Sequence, residues 1–292
     1  MVNFLRLKNA NLICYVLVFA PALLHKALIG SFSWTGVLKI PFIFLTNGGG
    51  VRESKRAAEL SELLGVKISP LQVVQGHSPF KQMVNRFEKE LIVAVGKGEP
   101  AAVMSEYGFK NVISIDEYAL CFDNIDPLAP YKKWSTMEAA VSSTRKSSIN
   151  SARVQAAFVV SDSVDWSRDV QVLCDILRTG GLPGSEEGPQ PPLFFAHDDL
   201  KYQPNPVAFK NAEVVLKQLA SSLHHNLTTV DHANSRSHDF QTLYMIGDNP
   251  LVDIKGARQA GHPWFPILTR TGVFKGNPHS NHAEFPANLV ST

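Results

Sequence analysis

Two aspartates, Asp248 and Asp253, are the side chains in this sequence best suited to bind a metal ion. Asp248 follows a short apolar run, 242–246, that ends at Gly247, and Asp253 comes five residues later, at the start of a predicted helix. Such a run predicts a buried strand, so both carboxylates would lie at its carboxyl end, where open α/β sheets bind ligands. Paired carboxylate oxygens suit Mg²⁺, which keeps several waters and often bridges to a substrate phosphate. The alternative is an ordinary strand–turn–helix unit in which Asp253 only caps the helix.

A glycine-rich turn farther upstream has the composition of an anion site. The apolar run 40–45 predicts a strand, and it leads into Thr46, Asn47 and three glycines at 48–50. Glycines let backbone N–H groups approach an anion closely, and Thr46 can donate its hydroxyl. A predicted helix follows the turn, and helix N-termini favour anions. A glycine turn by itself is more often only a turn, but beside the aspartate pair it predicts a phosphate site at Thr46, Asn47 and Gly48.

These segments resemble motifs of the haloacid dehalogenase (HAD) superfamily. Residues 45–47 (LTN) are similar to its second motif, and residues 247–253 (GDNPLVD) are similar to its fourth. Residues 204–209 (PNPVAF) are similar to the sequence that follows the lysine of the third motif. Their order resembles the NagD-like class IIA members, and among these the cat-eye-syndrome-critical-region-protein branch of HAD-like hydrolases. The resemblance extends from about Leu38 to the C-terminus.

The resemblance implies an Mg²⁺-dependent, phosphatase-type hydrolase that acts on a small phosphorylated molecule. Thr46 and Asn47 would serve the catalytic site by binding the phosphate together with Gly48, and Asp248 and Asp253 would hold Mg²⁺. Members of this branch are often mitochondrial, so we expect a mitochondrial location, with the cytoplasm as the alternative.

The nucleophile of this family is missing from the sequence. The first motif, Asp-x-Asp, should follow a strand upstream of Thr46, and covalent catalysis needs its carboxylate. The candidate strand, 13–19, is followed by Ala-Pro-Ala at 20–22. The first acidic residue of the chain is Glu53 and the first aspartate is Asp116, so no carboxylate fills this role locally.

The lysine of the third motif is missing as well. Where the family has Gly-Lys before Pro204, this chain has Tyr202 and Gln203, and the nearby Lys201 and Lys210 are out of register. Both defects lie where family-like sequence joins altered sequence, which indicates an alternatively spliced or imperfectly predicted product rather than a diverged binding protein. We therefore expect a weak or inactive enzyme, and the alternative is a non-catalytic protein that binds a phosphorylated ligand or has a regulatory role.

Composition narrows the choice of partners. The net charge of +2, from 28 basic and 26 acidic residues, and the lack of a basic stripe argue against nucleic-acid binding. Three widely spaced cysteines suit reduced thiols better than disulfides or a zinc site.

The apolar stretch 12–24 is shorter than the roughly 18 residues that span a bilayer. For this stretch a core strand and helix are favoured over a targeting sequence, and a membrane anchor is favoured least. The sequence does not specify an oligomeric state.

Apolar runs alternate with helical patterns along the chain, which is typical of an α/β fold. We predict a doubly wound parallel-sheet HAD-like core with an inserted α/β cap domain, which would exclude water and select the substrate. The expected division is an atypical N-terminal segment at 1–37, a core at 38–89 and 198–292, and a cap at 90–197. Three closely spaced aspartates in the cap are predicted to cap a helix rather than bind a metal: Asp162, Asp165 and Asp169.

Overall fold

The computed structural model describes most of the chain. It covers residues 13–17, 41–46, 48–122, 125–126, 148–185, 188–197, 206–225, 240–270, 272–275 and 280–291, with only the backbone described at 13–17 and 223–225. Contacts divide the chain into two compact units. The first comprises 1–47, 53–75 and 199–292, and the second comprises 48–52 and 76–198.

Helices and strands alternate along the described chain. The strands are β1 Ile13–Leu17, β2 Phe42–Thr46, β3 Val73–Gln75, β4 Leu91–Val95, β5 Asn111–Ser114, β6 Ala156–Val159, β7 Leu193–Phe195, β8 Thr242–Gly247, β9 Trp264–Thr269 and β10 Leu289–Ser291. The α-helices are α1 Glu53–Leu64, α2 Val84–Phe87, α3 Pro100–Tyr107, α4 Ile115–Ala119, α5 Trp166–Arg178, α6 Pro206–His225 and α7 Lys255–Ala260. Two 3₁₀ segments, Pro70–Gln72 and Ser78–Met83, and a π-helical turn, Pro250–Ile254, complete the described elements.

The first unit contains a six-stranded sheet with the order β10-β9-β8-β1-β2-β3. Every pairing in it is parallel. β1 lies between β2 and β8, and Leu17 pairs with Phe44 on one side and with Ile246 on the other. Residues 13–17 therefore form a central strand, which agrees with the core interpretation of the N-terminal stretch. The rest of 1–37 lies outside the described residues.

Helices cover both faces of this sheet because its strands alternate their side chains. Phe42 and Phe44 of β2 pack with α1, whose apolar positions Ala57, Leu60 and Leu64 share one helical face. The intervening Ile43 and Leu45 belong to a second cluster, which includes residues of α6 and α7. The unit is thus a doubly wound α/β layer structure, and the predicted fold class is confirmed.

The second unit is built around its own parallel sheet, ordered β5-β4-β6-β7. Alternate residues of β4 face opposite sides, with Val93 in a cluster that includes α5 and Ile92 in a cluster that includes α3. This unit is inserted between parts of the first unit, as the sequence predicted for the cap.

The boundary between the units differs from the sequence-based division. Residues 76–89, assigned to the core, group with the second unit, because Phe80 and Phe87 stack edge-on against Phe158 with ring centroids 5.1 and 6.0 Å apart. Residues 48–52 also group with the second unit.

The aspartates of the second unit have structural partners. Asp165 caps α5 by accepting a hydrogen bond from the backbone N–H of Arg168 at 3.3 Å, as predicted. Asp169 instead accepts from Ser163 and from the Arg168 guanidinium, and Asp162 pairs with Lys97 at 3.7 Å. Among the helices that the structure describes, none combines the length and hydrophobicity needed to cross a membrane.

Candidate active site

Strand register brings the predicted site residues of the first unit to one edge of its sheet. Thr46 lies two residues beyond Phe44, and Asp248 lies two residues beyond Ile246, while both Phe44 and Ile246 pair with Leu17 of β1. Thr46 and Asp248 are therefore level with each other at the carboxyl end of the sheet. Because neighbouring strands are about 4.8 Å apart, they flank the end of β1 at a separation of roughly 10 Å.

Asp253 turns back from the π-helical segment onto the end of β8. Its Oδ2 accepts a hydrogen bond from the backbone N–H of Asn249 at 2.9 Å, and its side chain lies against the Cα of Gly247. A Cβ at position 247 would collide with the Asp253 carboxylate, which explains the glycine there. The Asn249 side chain caps the segment by accepting from the N–H of Leu251 at 3.0 Å. The Gly-Asp-Asn-Pro sequence thus folds so that the two aspartates lie close together.

Burial makes Asp253 an unusual carboxylate. The side chain is only 4% exposed. The pKa of Asp253 is raised to about 7. Burial is the largest cause and the nearby Asp248 carboxylate adds to it, while backbone hydrogen bonds from Asn249 and Asp248 act in the opposite direction. A bound cation would offset the cost of burying the Asp253 carboxylate next to the half-buried Asp248.

A loop after β9 orients Asp248. The Asp248 Oδ2 accepts a hydrogen bond from the backbone N–H of Val273 at 2.6 Å, and its backbone carbonyl accepts from Phe274 at 3.0 Å. The same carboxylate packs directly on Gly272. The sequence analysis missed this loop. Its signal was a glycine soon after a buried strand, which indicates a close approach of another group.

Thr46 ends β2 and pairs with Gln75 at the end of β3. Thr46 is partly exposed, whereas Gln75 is fully buried, which is notable for a polar residue at the sheet edge. Sequence reasoning did not single out Gln75. Asn47 and the segment with Tyr202 and Gln203 lie outside the described residues.

The three glycines that follow belong to the second unit. Gly48 is exposed, but a Cβ at Gly49 would lie 2.9 Å from both the His77 ring and the Val160 carbonyl. Gly50 has a φ of +82°, and its carbonyl accepts from the N–H of Glu99 at 2.7 Å. Gly49 and Gly50 are thus required by close packing within this unit, a reason that the sequence did not reveal. That Gly48 contacts a phosphate stays a prediction.

The donors at Asp248 and Asp253 fit Mg²⁺ only in part. Hard oxygen ligands suit this ion, and here the buried Asp253 carboxylate lies near the half-buried Asp248 carboxylate. However, within the described parts of the chain no group of three or more His, Cys, Asp or Glu side chains is arranged to hold a metal. The pair alone therefore favours weak binding, completed by water and by a ligand phosphate.

Comparison with protein families gives the same assignment at both ends of the chain. Residues 25–110 match the family described as haloacid dehalogenase-like hydrolase, and residues 203–292 match the one described as HAD-hydrolase-like. Together the two matches cover more than half of the chain and contain Thr46, Asp248 and Asp253. The chain belongs to the HAD superfamily of hydrolases. The predicted superfamily is confirmed, and phosphatase-like hydrolysis is the chemistry of the family.

Two relatives of this chain come from yeasts. A mitochondrial hydrolase of Saccharomyces cerevisiae is 27% identical over 286 residues, which cover 81% of this chain and 79% of that protein. A cardiolipin synthase (CMP-forming)/mitochondrial hydrolase fusion protein of Schizosaccharomyces pombe is 29% identical over 284 residues. That match covers 86% of this chain but spans only 46% of the fusion protein.

The fold is similar to that of a solved structure. A thermostable NPPase double mutant from Geobacillus stearothermophilus superposes with a TM-score of 0.51, at 16% identity, over 95% of this chain and 94% of that one. At this identity the likeness concerns the fold, and it supports the doubly wound architecture described above.

Proposed function

We propose that this chain binds Mg²⁺ weakly and a small phosphorylated molecule at the carboxyl edge of its first sheet, without hydrolysing it at the rate of an active HAD phosphatase. One observation carries the proposal. β1 lies between the strands that end in Thr46 and Gly247, and the sequence after β1 reads VFAPA at 18–22. An aspartyl-phosphate mechanism needs a carboxylate there, and the sequence has no acidic residue before Glu53.

The residues that remain support binding. Thr46 would donate its hydroxyl to the phosphate, with Asn47 and Gly48 beside it, and Asp248 and Asp253 would hold the metal. Mg²⁺ at this place supplies positive charge that stabilises a phosphate dianion. Without the nucleophile and the third-motif lysine, binding need not lead to bond cleavage.

We assign the chain further to the NagD-like class IIA members, in the cat-eye-syndrome-critical-region-protein branch, and we propose a mitochondrial location. The sequence motifs and the inserted second unit support the class. Both yeast relatives are mitochondrial hydrolases by name, which supports the location. Imaging the tagged full chain against mitochondrial and cytoplasmic markers tests it, and a purely cytoplasmic signal would contradict it.

The activity test is hydrolysis of p-nitrophenyl phosphate by the purified chain with and without Mg²⁺. We expect release at the background rate, together with measurable binding of inorganic phosphate by calorimetry in the presence of Mg²⁺. Mg²⁺-dependent turnover that is lost in Asp248→Ala would mean that another residue supplies the nucleophile. Absence of both turnover and phosphate binding would remove the binding function as well.

A further inference from the structure

The glycine turn is held by loops of the second unit. We call residues 48–52 the turn segment. It groups with the second unit rather than with the strand β2 that precedes it. Its partners are the loop after β4, with Lys97 and Glu99, and the loop after β6, with Ser161.

These two loops meet where the strand order of the second sheet reverses. The chain passes outward from β4 to β5 on one side and from β6 to β7 on the other, so β4 and β6 form the topological switch point. Loops at the carboxyl ends of such strands commonly bind a ligand. Here the protein's own turn segment packs against them.

The contacts around Gly50 and Arg52 are specific. The Glu99 N–H donates to the Gly50 carbonyl at 2.7 Å, and Arg52 Nε pairs with Glu99 Oε2 at 3.2 Å. The buried Ser161 donates its hydroxyl to the Lys97 carbonyl at 3.0 Å. A Cβ at Gly50 would lie 2.8 Å from the Ser161 Oγ and would collide with the Lys97 carbonyl. Ser161 thus fixes the loop against which the turn packs, and Glu99 holds the turn at two points.

The side chain of His77 makes a second contact with the turn segment, at Gly49. The His77 ring packs against Gly49, and His77 Nδ1 is hydrogen-bonded to the Tyr107 hydroxyl at 2.6 Å. His77 is fully buried, so its ring has little freedom to move. The backbone after Gly48 is therefore fixed on both sides.

We propose that Glu99 and Ser161 are positioning residues for phosphate binding at the turn that follows β2, an inference that rests on the proposed function. They contact the turn segment and not the phosphate. Their effect is to keep the backbone of Gly49 and Gly50 in one conformation, so that Gly48 is held in the geometry that an anion requires. Anion affinity depends on such preorganisation of backbone groups.

The test compares phosphate affinity in Ser161→Ala and Glu99→Ala with that of the wild type, by calorimetry with Mg²⁺ present. We expect each variant to bind inorganic phosphate about three- to tenfold more weakly, the contribution of one hydrogen bond. Mg²⁺ affinity should stay unchanged, which a general loss of stability would not allow.

Two further variants serve as controls. Glu99→Gln should retain most of the phosphate affinity, because its amide oxygen still accepts from Arg52. Asp162→Asn is the matched control, since it breaks only the exposed pair with Lys97 between the same loops.

Amide hydrogen exchange tests whether Glu99 and Ser161 hold the turn segment, and this test does not depend on phosphate binding. In Ser161→Ala and Glu99→Ala, amides of the turn segment should exchange faster than in the wild type, while those of α5 should be unchanged. Unaltered exchange in the turn segment, or wild-type phosphate affinity in both alanine variants, would overturn the positioning role. If the wild type binds no phosphate at all, the proposed function fails, and the exchange result alone then decides whether Glu99 and Ser161 hold the turn.

Discussion

At the scale of single residues, the proposed Mg²⁺ site depends on a carboxylate that is costly to bury. Asp253 is 4% exposed and lies near a second carboxylate, Asp248. Hydrogen bonds from backbone N–H groups offset only part of the desolvation cost, so its pKa rises to about 7. Stability alone does not require a carboxylate there, because a neutral amide could accept the same bond from Asn249. The proposed binding of Mg²⁺ gives a reason for an acid at this position.

The first prediction separates metal binding from folding. Asp248→Asn and Asp253→Asn should each weaken Mg²⁺ binding by about tenfold or more, since even indirect ligand partners are worth 10- to 100-fold in metal affinity. The wild-type affinity should be weak, with a Kd of about 1 mM, on the order of −4 kcal/mol. In metal-free buffer, Asp253→Asn should melt at the wild-type temperature or above it. Titration calorimetry and thermal melts measure these quantities, and tight Mg²⁺ binding that survives both substitutions would contradict the assignment.

The second prediction concerns the glycine that admits Asp253. Gly247→Ala places a methyl group where the Asp253 carboxylate lies, so it should destabilise the protein by about 1–3 kcal/mol and also weaken Mg²⁺ binding. Gly65→Ala is the control: Gly65 has a φ of +66° with no atom within 4 Å of the added Cβ, so alanine there should cost stability but leave Mg²⁺ affinity unchanged. Denaturant unfolding and calorimetry give both numbers. If Gly247→Ala binds Mg²⁺ as tightly as Gly65→Ala does, the added methyl group does not displace the Asp253 carboxylate.

At the scale of elements, strand order decides which residues share an edge. β1 separates β2 from β8, so the carboxyl ends of these three parallel strands lie side by side. Thr46 and Asp248 each lie two residues past a partner of Leu17. Counting on from Leu17 in the sequence, the matching position is 19, which lies outside the described residues. The sequence analysis places the missing Asp-x-Asp at 20–22, which also lies outside the described residues, so the two placements are tested by substitution.

The third prediction follows from that register. A variant with Phe19→Asp, Pro21→Asp and Gln203→Lys should recover Mg²⁺-dependent release of p-nitrophenol, on the order of 10²-fold above the wild-type background, the lower end of what one proton-transfer group contributes. The comparison variant, with Ala20→Asp, Ala22→Asp and Gln203→Lys, should recover less, because its carboxylates follow the other parity of the strand. If both variants fold and bind Mg²⁺ yet remain inert, β1 does not stand in for the missing first-motif strand.

At the scale of the whole molecule, two units carry separate cores. The clusters around β2 and β8 belong to the first unit, and those around β4 and β6 belong to the second. Each sheet is parallel and covered on both faces, so each unit buries its own apolar side chains. A bound ligand should then stabilise only the unit that binds it.

The fourth prediction tests this separation. Mg²⁺ should slow amide exchange in β8 and in the segment Pro250–Ile254, and it should leave exchange in β4 and β6 unchanged. The reason is that both proposed metal ligands belong to the first unit. Exchange mass spectrometry on the full chain with and without Mg²⁺ measures the effect, with Asp248→Asn as the control. If Mg²⁺ slowed amide exchange equally in both sheets, the stabilities of the two units would be coupled, which contradicts this prediction.

The sequence by itself determined the family, the fold class and the identity of the aspartate pair. The strands β2 and β8 were predicted from apolar runs that lead into glycine-containing turns. Asp248 and Asp253 are only five residues apart, so their proximity depends on local sequence. The absence of an acidic residue before Glu53 can also be read directly from the sequence, and the prediction that the nucleophile is missing rests on it. The helix after the glycine turn, α1, was also predicted from a local pattern, since helix periodicity depends on near neighbours.

Only the tertiary structure decided how distant segments meet. The grouping of 76–89 and of the turn segment with the second unit depends on Phe158 and on the loops after β4 and β6, which are far away in sequence. The support of Asp248 by the loop at Gly272 and the close packing of Gly49 and Gly50 were hidden for the same reason. Packing partners depend on the order of strands in a sheet, and that order results from long-range contacts that local propensity does not encode.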